Sequence, residues 1–239
     1  MSTQDRAALL ADMAGELKRA PDDEVTAKTM VARTLDLLPR SDAVSLTVRG
    51  RHGRFATLGA TDERAERADA LQYDTGEGPC LSAVEQADWF RSGDVSVDAR
   101  WPTWGPRVAA EVGVRSLLSV RLMGDEDALG ALNVYGVEPG LFTDPDDIDL
   151  LLLFATHAAI ALSAAREIAG LQTAVHTRHV IGLSQGILME RYDLSADQAF
   201  ALLRRYSNDL NVKLHDVAHE LATHRELPDL PGARRPEPD

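Results

Sequence analysis

The chain has 239 residues, a hydrophobic share of 44% and a formal net charge of −13 at neutral pH. This length predicts one or two domains, and the hydrophobic share is ordinary for a globular protein with a packed core. The sequence has no uninterrupted apolar run of about 18 residues and no apolar N-terminal segment, so we expect neither a membrane span nor a signal peptide. A single cysteine, Cys80, excludes an intrachain disulfide and predicts a reducing, cytoplasmic location.

The negative charge is unevenly distributed along the chain. Residues 1–170 hold 17 basic and 28 acidic side chains, whereas residues 171–226 hold six and seven. The C-terminal region is therefore nearly neutral, and its non-specific attraction to phosphate should be weak. Any recognition of nucleic acid by this region must therefore rely on a local basic face together with shape or loop-base contacts.

The first part of the chain reads as helices followed by two hairpins. Two helices are predicted over residues 4–19 and 22–38, separated by Pro21. The next predicted elements are strands over 43–48 and 55–60, a helix over 61–71, a short helix after Cys80, a helix over 101–112, strands over 116–122 and 128–135, and a long helix from Asp144. This order predicts an α+β domain in which helices pack on an antiparallel sheet.

The long helix continues through residues 178–191, the most informative segment of the chain. Its buried stripe is predicted to contain Val180, Ile181, Ser184, Ile187 and Leu188. Gly182 and Gly186 lie four residues apart, although each interior glycine costs about 1 kcal/mol relative to alanine. This pattern predicts that something approaches the helix backbone closely.

Two more helices complete a small all-α unit. Ser195 and Gln198 have the spacing of a capping box, and Asn211 is a candidate N-cap of the last helix. The apolar positions of the two helices are Ala199, Phe200, Leu202, Leu203 and Tyr206, then Leu214, Val217, Ala218, Leu221 and Ala222. The unit has about fifty residues, near the lower limit for an independent core.

This helical region, residues 171–227, resembles the ANTAR family of RNA-binding antitermination domains. The matching motifs are Ile181-Gly182, Gly186-Ile-Leu-Met189, Ser195-Ala-Asp-Gln-Ala-Phe200, Leu202-Leu-Arg204 and Asn211-Val-Lys-Leu214 with Val217-Ala218. Family members bind paired RNA hairpins in nascent transcripts and prevent a terminator from forming. Ser184 and Gln185 stand where members often have Ala and Lys, which removes one phosphate-pairing charge.

Residues 39–167 resemble a GAF domain of the type joined to ANTAR units. The matching motifs are Gly76-Glu-Gly-Pro-Cys80, Asp98-Ala-Arg-Trp-Pro102, Gly113-Val-Arg-Ser116, Leu129-Gly-Ala-Leu-Asn-Val-Tyr135 and Phe142. GAF domains sense small molecules or serve as dimerising scaffolds. The resemblance therefore implies an unknown small-molecule ligand or a scaffold role, and the sequence does not identify a ligand or a cofactor.

The candidate RNA-binding residues fall into two groups. The predicted phosphate contacts are Arg178, Arg204, Arg205 and Lys213, and the predicted close-approach face comprises Gly182, Gln185, Gly186 and Met189. We expect Val180, Ile187, Leu188, Phe200 and Leu203 to lie in the core.

The candidate ligand-binding residues are Tyr73, Cys80, Phe90, Trp101, Trp104 and Ser116. The aromatic side chains are equally consistent with a ligand pocket and with core packing. A helix start beside Cys80 would lower its pKa and favour a redox role, but a small buried thiol is the favoured interpretation.

The sequence offers no enzyme or metal site. His219 and His224 have one residue too many between them for a zinc-protease motif, and His215 lies one helical turn before His219. Gly76 and Gly78 lack the residues of a phosphate-binding loop that would follow them. We therefore predict a protein that is not an enzyme and binds no metal.

The long helix also has a weak coiled-coil pattern, which predicts a homodimer. The seam comprises Ala161, Ala164, Ile168, Leu171 and Val175, and its alternative is packing on the helix's own sheet. The predicted organisation is N-terminal helices (1–38), a GAF-like sensor (39–167), an ANTAR-like RNA binder (168–227) and a disordered tail (228–239). The predicted function is signal-responsive antitermination, and the alternative is a dimeric module that docks a protein partner.

Overall fold

The computed structural model describes residues 11–17, 19–20, 22–50, 53–86, 88–124 and 127–227. Its contacts divide the chain into two compact units, with the boundary in the sequence between Ile168 and Ala169. Residues 4–10 of the first predicted helix (4–19) and the predicted disordered tail lie outside the described residues.

The first unit is built from helices and a five-stranded sheet. In chain order its elements are α1 (residues 11–17), α2 (Asp23–Leu37), β1 (Ala43–Arg49), β2 (Phe55–Ala60), α3 (Glu63–Thr75), α4 (Pro79–Glu85), β3 (Trp89–Ser92), α5 (Trp104–Glu111), β4 (Ser116–Met123), β5 (Ala128–Gly136) and the first part of α6 (Pro145–Tyr192). The strand order is β2-β1-β5-β4-β3, and each neighbouring pair is antiparallel. The predicted α+β class is confirmed.

The sequence patterns do not predict strand β3. It has four residues, its first residue Trp89 is 39% exposed, and it pairs with β4 at the edge of the sheet. So short an edge strand has too few residues to display the alternation that identifies longer strands.

The two faces of the sheet differ in polarity because side chains alternate along each strand. On β1, Val44 and Leu46 lie in an apolar core with Leu151 and Phe154 of α6. Ser45 and Thr47 point to the other face, where both are completely buried. One side of the sheet is thus a hydrocarbon core, and the other has buried polar side chains.

Helix α5 begins later than the sequence predicts. It starts at Trp104 instead of residue 101, because Trp101 belongs to a preceding turn in which its backbone N–H bonds the carbonyl of Asp98 at 3.2 Å. Gly113 follows the helix at a φ of 83°, as expected of a glycine that ends a helix.

The second unit contains the remainder of α6 with α7 (Ala196–Leu210) and α8 (Leu214–His224). Ser195 and Gln198 form both hydrogen bonds of the predicted capping box. The buried residues of its hydrophobic core are Leu188, Ala199, Leu203, Tyr206, Val217 and Leu221.

Two predictions about this unit are wrong. Asn211 does not cap α8; it ends α7 with a φ of 52°, and Lys213 is the N-cap of α8. Phe200 is 39% exposed instead of buried, because the core is filled from the adjacent face of α7 by Ala199 and Leu203.

Helix α6 is the one helix among the described residues that is long and apolar enough to cross a membrane. This criterion uses only length and composition, and core helices of water-soluble proteins also meet it. Leu151, Phe154 and Leu162 of α6 are buried against the sheet of the first unit, as in such a core helix.

Candidate functional sites

Five candidate RNA-binding residues share one face of α6. They are Arg178, Gly182, Gln185, Gly186 and Met189, and we call this surface the glycine face. The spacings between successive members are four, three, one and three residues, which places all five within an arc of about 100° on a helix with 3.6 residues per turn. The opposite side of the same segment holds Val180, Ser184 and Leu188 in the interior. The glycine face therefore points away from the core of its unit.

No described part of this chain packs closely on the two glycines. A Cβ atom built at Gly182 or Gly186 would have no neighbour within 4 Å. No residue that the structure describes therefore makes the predicted close approach. The helix backbone is left open on its outer side, where a group from another molecule can reach it.

The two residues that depart from the usual ANTAR motif make internal contacts. Ser184 is completely buried, and its Oγ lies 2.5 Å from the carbonyl oxygen of Ala218 on α8. Gln185 donates from Nε2 to the carbonyl of Ala196 at the start of α7, at 3.1 Å. These contacts join α6 to both following helices.

The basic candidates on α7 lie on its solvent side. Ala199 and Leu203 face the core, and Arg204 and Arg205 are exposed on the remaining surface. Nε of Arg205 lies 3.4 Å from Asp209, an exposed ion pair that contributes little to stability. Both guanidinium groups are therefore accessible to a phosphate.

Lys213 lies apart from the glycine face. It lines a cleft with His176 of α6 and His215 of α8. The sequence did not single out His176, because no local pattern connects it to a helix so much later in the chain. Within the described ranges, no group of three His, Cys, Asp or Glu side chains is placed to hold a metal ion.

The polar face of the sheet in the first unit carries a buried hydrogen-bond cluster centred on Asp69 of α3, which we call the Asp69 cluster. The Asp69 carboxylate accepts hydrogen bonds from Ser45 at 2.9 Å, from Thr57 at 2.8 Å and from the Tyr135 hydroxyl. Thr47 also donates to it, at 3.2 Å. Burial raises the pKa of Asp69, and these hydrogen bonds oppose the shift.

The amide groups of Gln72 and Asn133 connect further members of the Asp69 cluster. Gln72 donates to the Tyr135 hydroxyl at 3.2 Å and accepts the backbone N–H of Cys80 at 2.9 Å. Asn133 donates to Ser45 and to Asp69, at 3.1 and 3.3 Å. Among the described residues, Asp69 has no basic side chain as a partner. The cluster thus places a carboxyl group in the interior without a balancing cation.

Two of the candidate ligand-binding residues border this cluster. The hydroxyl of Tyr73 lies 3.0 Å from those of Thr47 and Thr57. Cys80 is completely buried, and burial raises the pKa of its thiol well above the usual range. The idea that a helix start lowers the Cys80 pKa is therefore wrong, because burial disfavours the charged thiolate.

The Gly76–Cys80 motif has a structural explanation. Gly78 adopts a φ of 144°, and a Cβ atom there would lie 2.2 Å from Oε1 of Gln72. The Glu77 carboxylate accepts the backbone N–H groups of Thr103 and Trp104 at 2.8 and 3.1 Å, which caps α5. Hydrogen bonds from Thr103 lower the pKa of Glu77. The motif therefore holds α3, α4 and α5 together.

The aromatic candidates pack as a group beside the Asp69 cluster. Trp101 meets Trp104 edge to face, with ring centroids 6.0 Å apart, and meets Phe90 in the same way at 5.9 Å. The indole N–H groups donate to Ser82 and to the carbonyl of Ala68. Both tryptophans are buried and hydrogen-bonded within the unit, as residues of a core are.

Ser116 is not brought into either group. Its hydroxyl donates to the carbonyl of Glu138 at 2.7 Å, near the end of β5. The structure thus unites Tyr73 and Cys80 with the Asp69 cluster and gathers Phe90, Trp101 and Trp104 beside it. Sequence reasoning missed Asp69, Gln72 and Asn133, although the alternation of polar Ser45 and Thr47 within an apolar strand was a visible signal.

Comparison with solved structures supports the fold of the first unit. The GAF domain of a phosphoenolpyruvate-protein phosphotransferase from Coxiella burnetii is 19% identical, with a TM-score of 0.57 over 71% of this chain and 99% of that one. The corresponding domain from Acinetobacter is 13% identical, with a TM-score of 0.55 over 71% and 99%. Free methionine-R-sulfoxide reductase from Neisseria meningitidis, solved with its substrate, is 16% identical, with a TM-score of 0.54 over 70% and 96%.

Comparison with models of protein families matches each of the two units to a family. None of the curated proteins compared with the chain matches it. A model of the GAF domain matches residues 21–163, and a model of the ANTAR domain matches residues 169–221. The first family comprises sensor domains and the second RNA-binding regulatory domains. The chain therefore belongs to the GAF domain family and carries a C-terminal ANTAR domain.

Proposed function

We propose that this protein is a cytoplasmic, signal-responsive regulator that binds RNA hairpins through its ANTAR domain and acts by transcription antitermination. The observation that carries this proposal is the glycine face of α6. Gly182 and Gly186 leave the helix backbone uncovered, and Arg178 lies on the same face. An uncovered backbone beside a cation suits close contact with a nucleic-acid strand.

The charge of the ANTAR region limits how it binds RNA. The proposed phosphate contacts are Arg178, Arg204, Arg205 and Lys213. The acidic side chains of residues 171–226 slightly outnumber the basic ones, so long-range attraction is weak. Specificity then comes from Gly182, Gln185, Gly186 and Met189 against the shape and loop bases of the hairpin.

We propose that the GAF domain is the signal-receiving part, with a small-molecule site next to the Asp69 cluster. Tyr73 and Cys80 border that cluster, and Phe90, Trp101 and Trp104 flank it. The polar atoms already bond one another, so a ligand must replace some of these bonds with its own. Ser116 is the least supported member, because its hydroxyl bonds a carbonyl elsewhere.

We propose a homodimer formed along α6. Three seam residues, Ile168, Leu171 and Val175, are 51%, 61% and 69% exposed. Large apolar side chains at coiled-coil spacing are expected to be covered by a partner helix. Ala161 contributes less, because it packs partly against the core of its own unit.

We propose that the protein is not an enzyme. The one thiol of the chain, Cys80, is buried and has a raised pKa, which suppresses the nucleophilic thiolate. The likeness to a methionine sulfoxide reductase concerns the fold alone.

The test is a binding titration of the full-length protein against a two-hairpin RNA and a single-hairpin control, at about 50 and 200 mM salt. We expect tighter binding to the double hairpin and a salt slope of about −6 if each chain of the dimer contacts four phosphates. Salt-independent binding without preference between the two RNAs would contradict RNA recognition. It would favour the alternative, in which exposed Leu183, Met189 and Phe200 dock a protein.

A further inference from the structure

The glycine face and the proposed dimer seam follow one register along α6. The seam alternates steps of three and four residues through Ala161, Ala164, Ile168, Leu171 and Val175. The same alternation continues unchanged through Arg178, Gly182, Gln185 and Met189. Four of the five members of the glycine face therefore occupy the heptad positions at which a partner helix packs.

This register lies on one continuous element, because α6 runs as a single helix over Pro145–Tyr192. Leu171 and Val175 are 61% and 69% exposed, and Met189 is 38% exposed. A Cβ atom built at Gly182 has no described neighbour within 4 Å. The register therefore presents exposed apolar side chains before and after a stretch of open backbone.

The length of the seam indicates which partner covers this face. Residues 161–175 provide about two heptads, whereas a coiled coil is sustained over at least three or four. Residues 161–189 provide four heptads, about 42 Å of helix at 1.5 Å per residue. In a parallel pair each seam position meets the same position of the other copy, so glycine lies opposite glycine and the two backbones can approach closely. A second copy of α6 therefore fits the glycine face, and the seam reaches the length of a stable coiled coil only when it includes that face.

We propose that, in the absence of RNA, the α6 helix of a second copy of this chain covers the glycine face, and that RNA reaches this face only after the two helices separate beyond Val175. The proposal rests on the proposed homodimer and on RNA binding by the ANTAR domain, and it adds a competition between RNA and the second copy for one surface. A helix about 10 Å wide fills the arc of the glycine face, so a helix and an RNA strand do not occupy it together.

The two halves of the seam differ in how firmly they hold the second copy. Ile168, Leu171 and Val175 place large apolar side chains at consecutive seam positions. Beyond them, Gly182 buries no side chain, and the Arg178 guanidinium groups of two parallel copies lie opposite each other and repel. A phosphate group bound by these guanidinium groups removes that repulsion. RNA can therefore open the second half of the seam while the first half keeps the two copies together.

The experiment places single cysteines on α6 of the full-length protein and measures the initial rate of disulfide-linked dimer formation under mild oxidation. Met189→Cys reports on the glycine face, and Leu171→Cys reports on the first half of the seam. Glu190→Cys is the matched control, because Glu190 is exposed and lies outside the register. The native Cys80 is completely buried, which keeps it out of the reaction.

Without RNA, we expect Met189→Cys and Leu171→Cys to cross-link much faster than the control. The two-hairpin RNA, at a free concentration of about ten times its Kd, should slow cross-linking of Met189→Cys about tenfold, because RNA and the second copy exclude each other. The rate for Leu171→Cys should stay unchanged. Gly182→Cys repeats the measurement at a second position of the face, so the result does not depend on the Met189 side chain.

The disulfide-linked proteins provide the reverse measurement. Linked Met189→Cys should bind the two-hairpin RNA about tenfold or more weakly than the same protein with a reducing agent, because the closed state can no longer open. Linked Leu171→Cys should bind the RNA with the affinity of its reduced form. This pair separates closure of the glycine face from a general effect of linking two copies.

The outcomes distinguish this proposal from RNA binding itself. Cross-linking of Leu171→Cys without cross-linking of Met189→Cys or Gly182→Cys would overturn the proposal and leave the dimer and RNA binding standing. Linked Met189→Cys that binds RNA as tightly as its reduced form would also overturn it. If the parent protein binds no RNA but Met189→Cys cross-links, the contact between the copies is supported and the proposed RNA function fails.

Discussion

The hydroxyl of Tyr135 on β5 donates a hydrogen bond to the carboxylate of Asp69 on α3, and both side chains are fully buried. This bond fastens a helix to the middle of the sheet through a carboxyl group that has no cationic partner among the described residues. Ser45, Thr47 and Thr57 donate to the same carboxylate from β1 and β2. The stability of the GAF domain should therefore depend strongly on this one acid.

Asp69→Ala should lower the free energy of unfolding by roughly 3 kcal/mol or more, because several buried donors lose their acceptor. Asp74→Ala is the matched control on the same helix: its carboxylate is exposed and pairs with Arg107, so its loss should cost less than about 1 kcal/mol. Urea denaturation followed by tryptophan fluorescence measures both. Equal effects of the two substitutions would contradict a central role for Asp69.

The stabilising contribution of Asp69 should also decrease as pH rises. Burial raises its pKa in the folded state, so the folded protein keeps a proton that an unfolded aspartate loses near about pH 4. The contribution of Asp69 to the free energy of unfolding is therefore fully present below that pH and is lost progressively as pH rises toward the folded-state pKa. The difference in unfolding free energy between the parent protein and Asp69→Asn should fall from pH 4 upward. A difference that stays constant to pH 8 would refute the raised pKa.

Cys80 should react slowly with thiol reagents in the native protein. It is completely buried, and burial raises the pKa of its thiol, so both access and thiolate are suppressed. Because it is the single cysteine, the labelling rate with a disulfide reagent reports on this residue alone. We expect fast reaction in denaturant and slow reaction without it. Similar rates in both conditions would show that the thiol is accessible.

Gly182→Ala and Gly186→Ala should each stabilise the protein and weaken RNA binding. A methyl group meets no described atom at either position, so alanine should add about 1 kcal/mol through helix propensity. The same methyl group would block a partner that touches the backbone. Gly170→Ala is the control, because Gly170 lies on the same helix with equally open space. Loss of affinity in all three variants, or in none, would contradict a contact at the glycine face.

The double variant R204A with R205A should weaken RNA binding about tenfold or more and reduce the salt slope by about 3, since each chain of the dimer loses two phosphate contacts. The free energy of unfolding should change by less than about 0.5 kcal/mol, because both side chains point into solvent. Filter binding and thermal unfolding measure the two quantities. Arg107→Ala, an exposed arginine of the GAF domain, should leave RNA affinity unchanged. Unchanged affinity in the double variant would remove these arginines from the RNA site.

The double variant L171E with V175E should convert a dimer into a monomer. These side chains are more than half exposed at seam positions, and two glutamates per helix would face each other across the interface. Sedimentation velocity at micromolar concentration measures the change. Gln172→Glu adds a charge to an exposed neighbour outside the seam and should preserve the dimer. A parent protein that sediments as a monomer would refute the proposed seam.

Elements that depend on local periodicity were predictable from the sequence. The long helix that starts beside Asp144, the capping box of Ser195 and Gln198, and the two hairpins β1–β2 and β4–β5 were all predicted and are confirmed. Each follows from side-chain spacing or a local hydrogen bond, which short stretches of sequence encode directly. Helix ends were predicted less well, because Trp101 and Asn211 take turn conformations fixed by their neighbours.

The tertiary structure determined which distant residues are in contact. The Asp69 cluster combines α3 with β1, β2 and β5, and the cleft lined by His176, Lys213 and His215 combines α6 with the start of α8. Only packing determines such contacts, since residues distant in sequence have no local pattern in common. The same reason applies to Phe200. Its apolar side chain predicts a core position, but Ala199 and Leu203 on the adjacent face of α7 fill the core, so Phe200 stays exposed. The sequence by itself determined the family, the helices and the glycine face, whereas burial, pKa shifts and the polar cluster arose from the arrangement of elements in space.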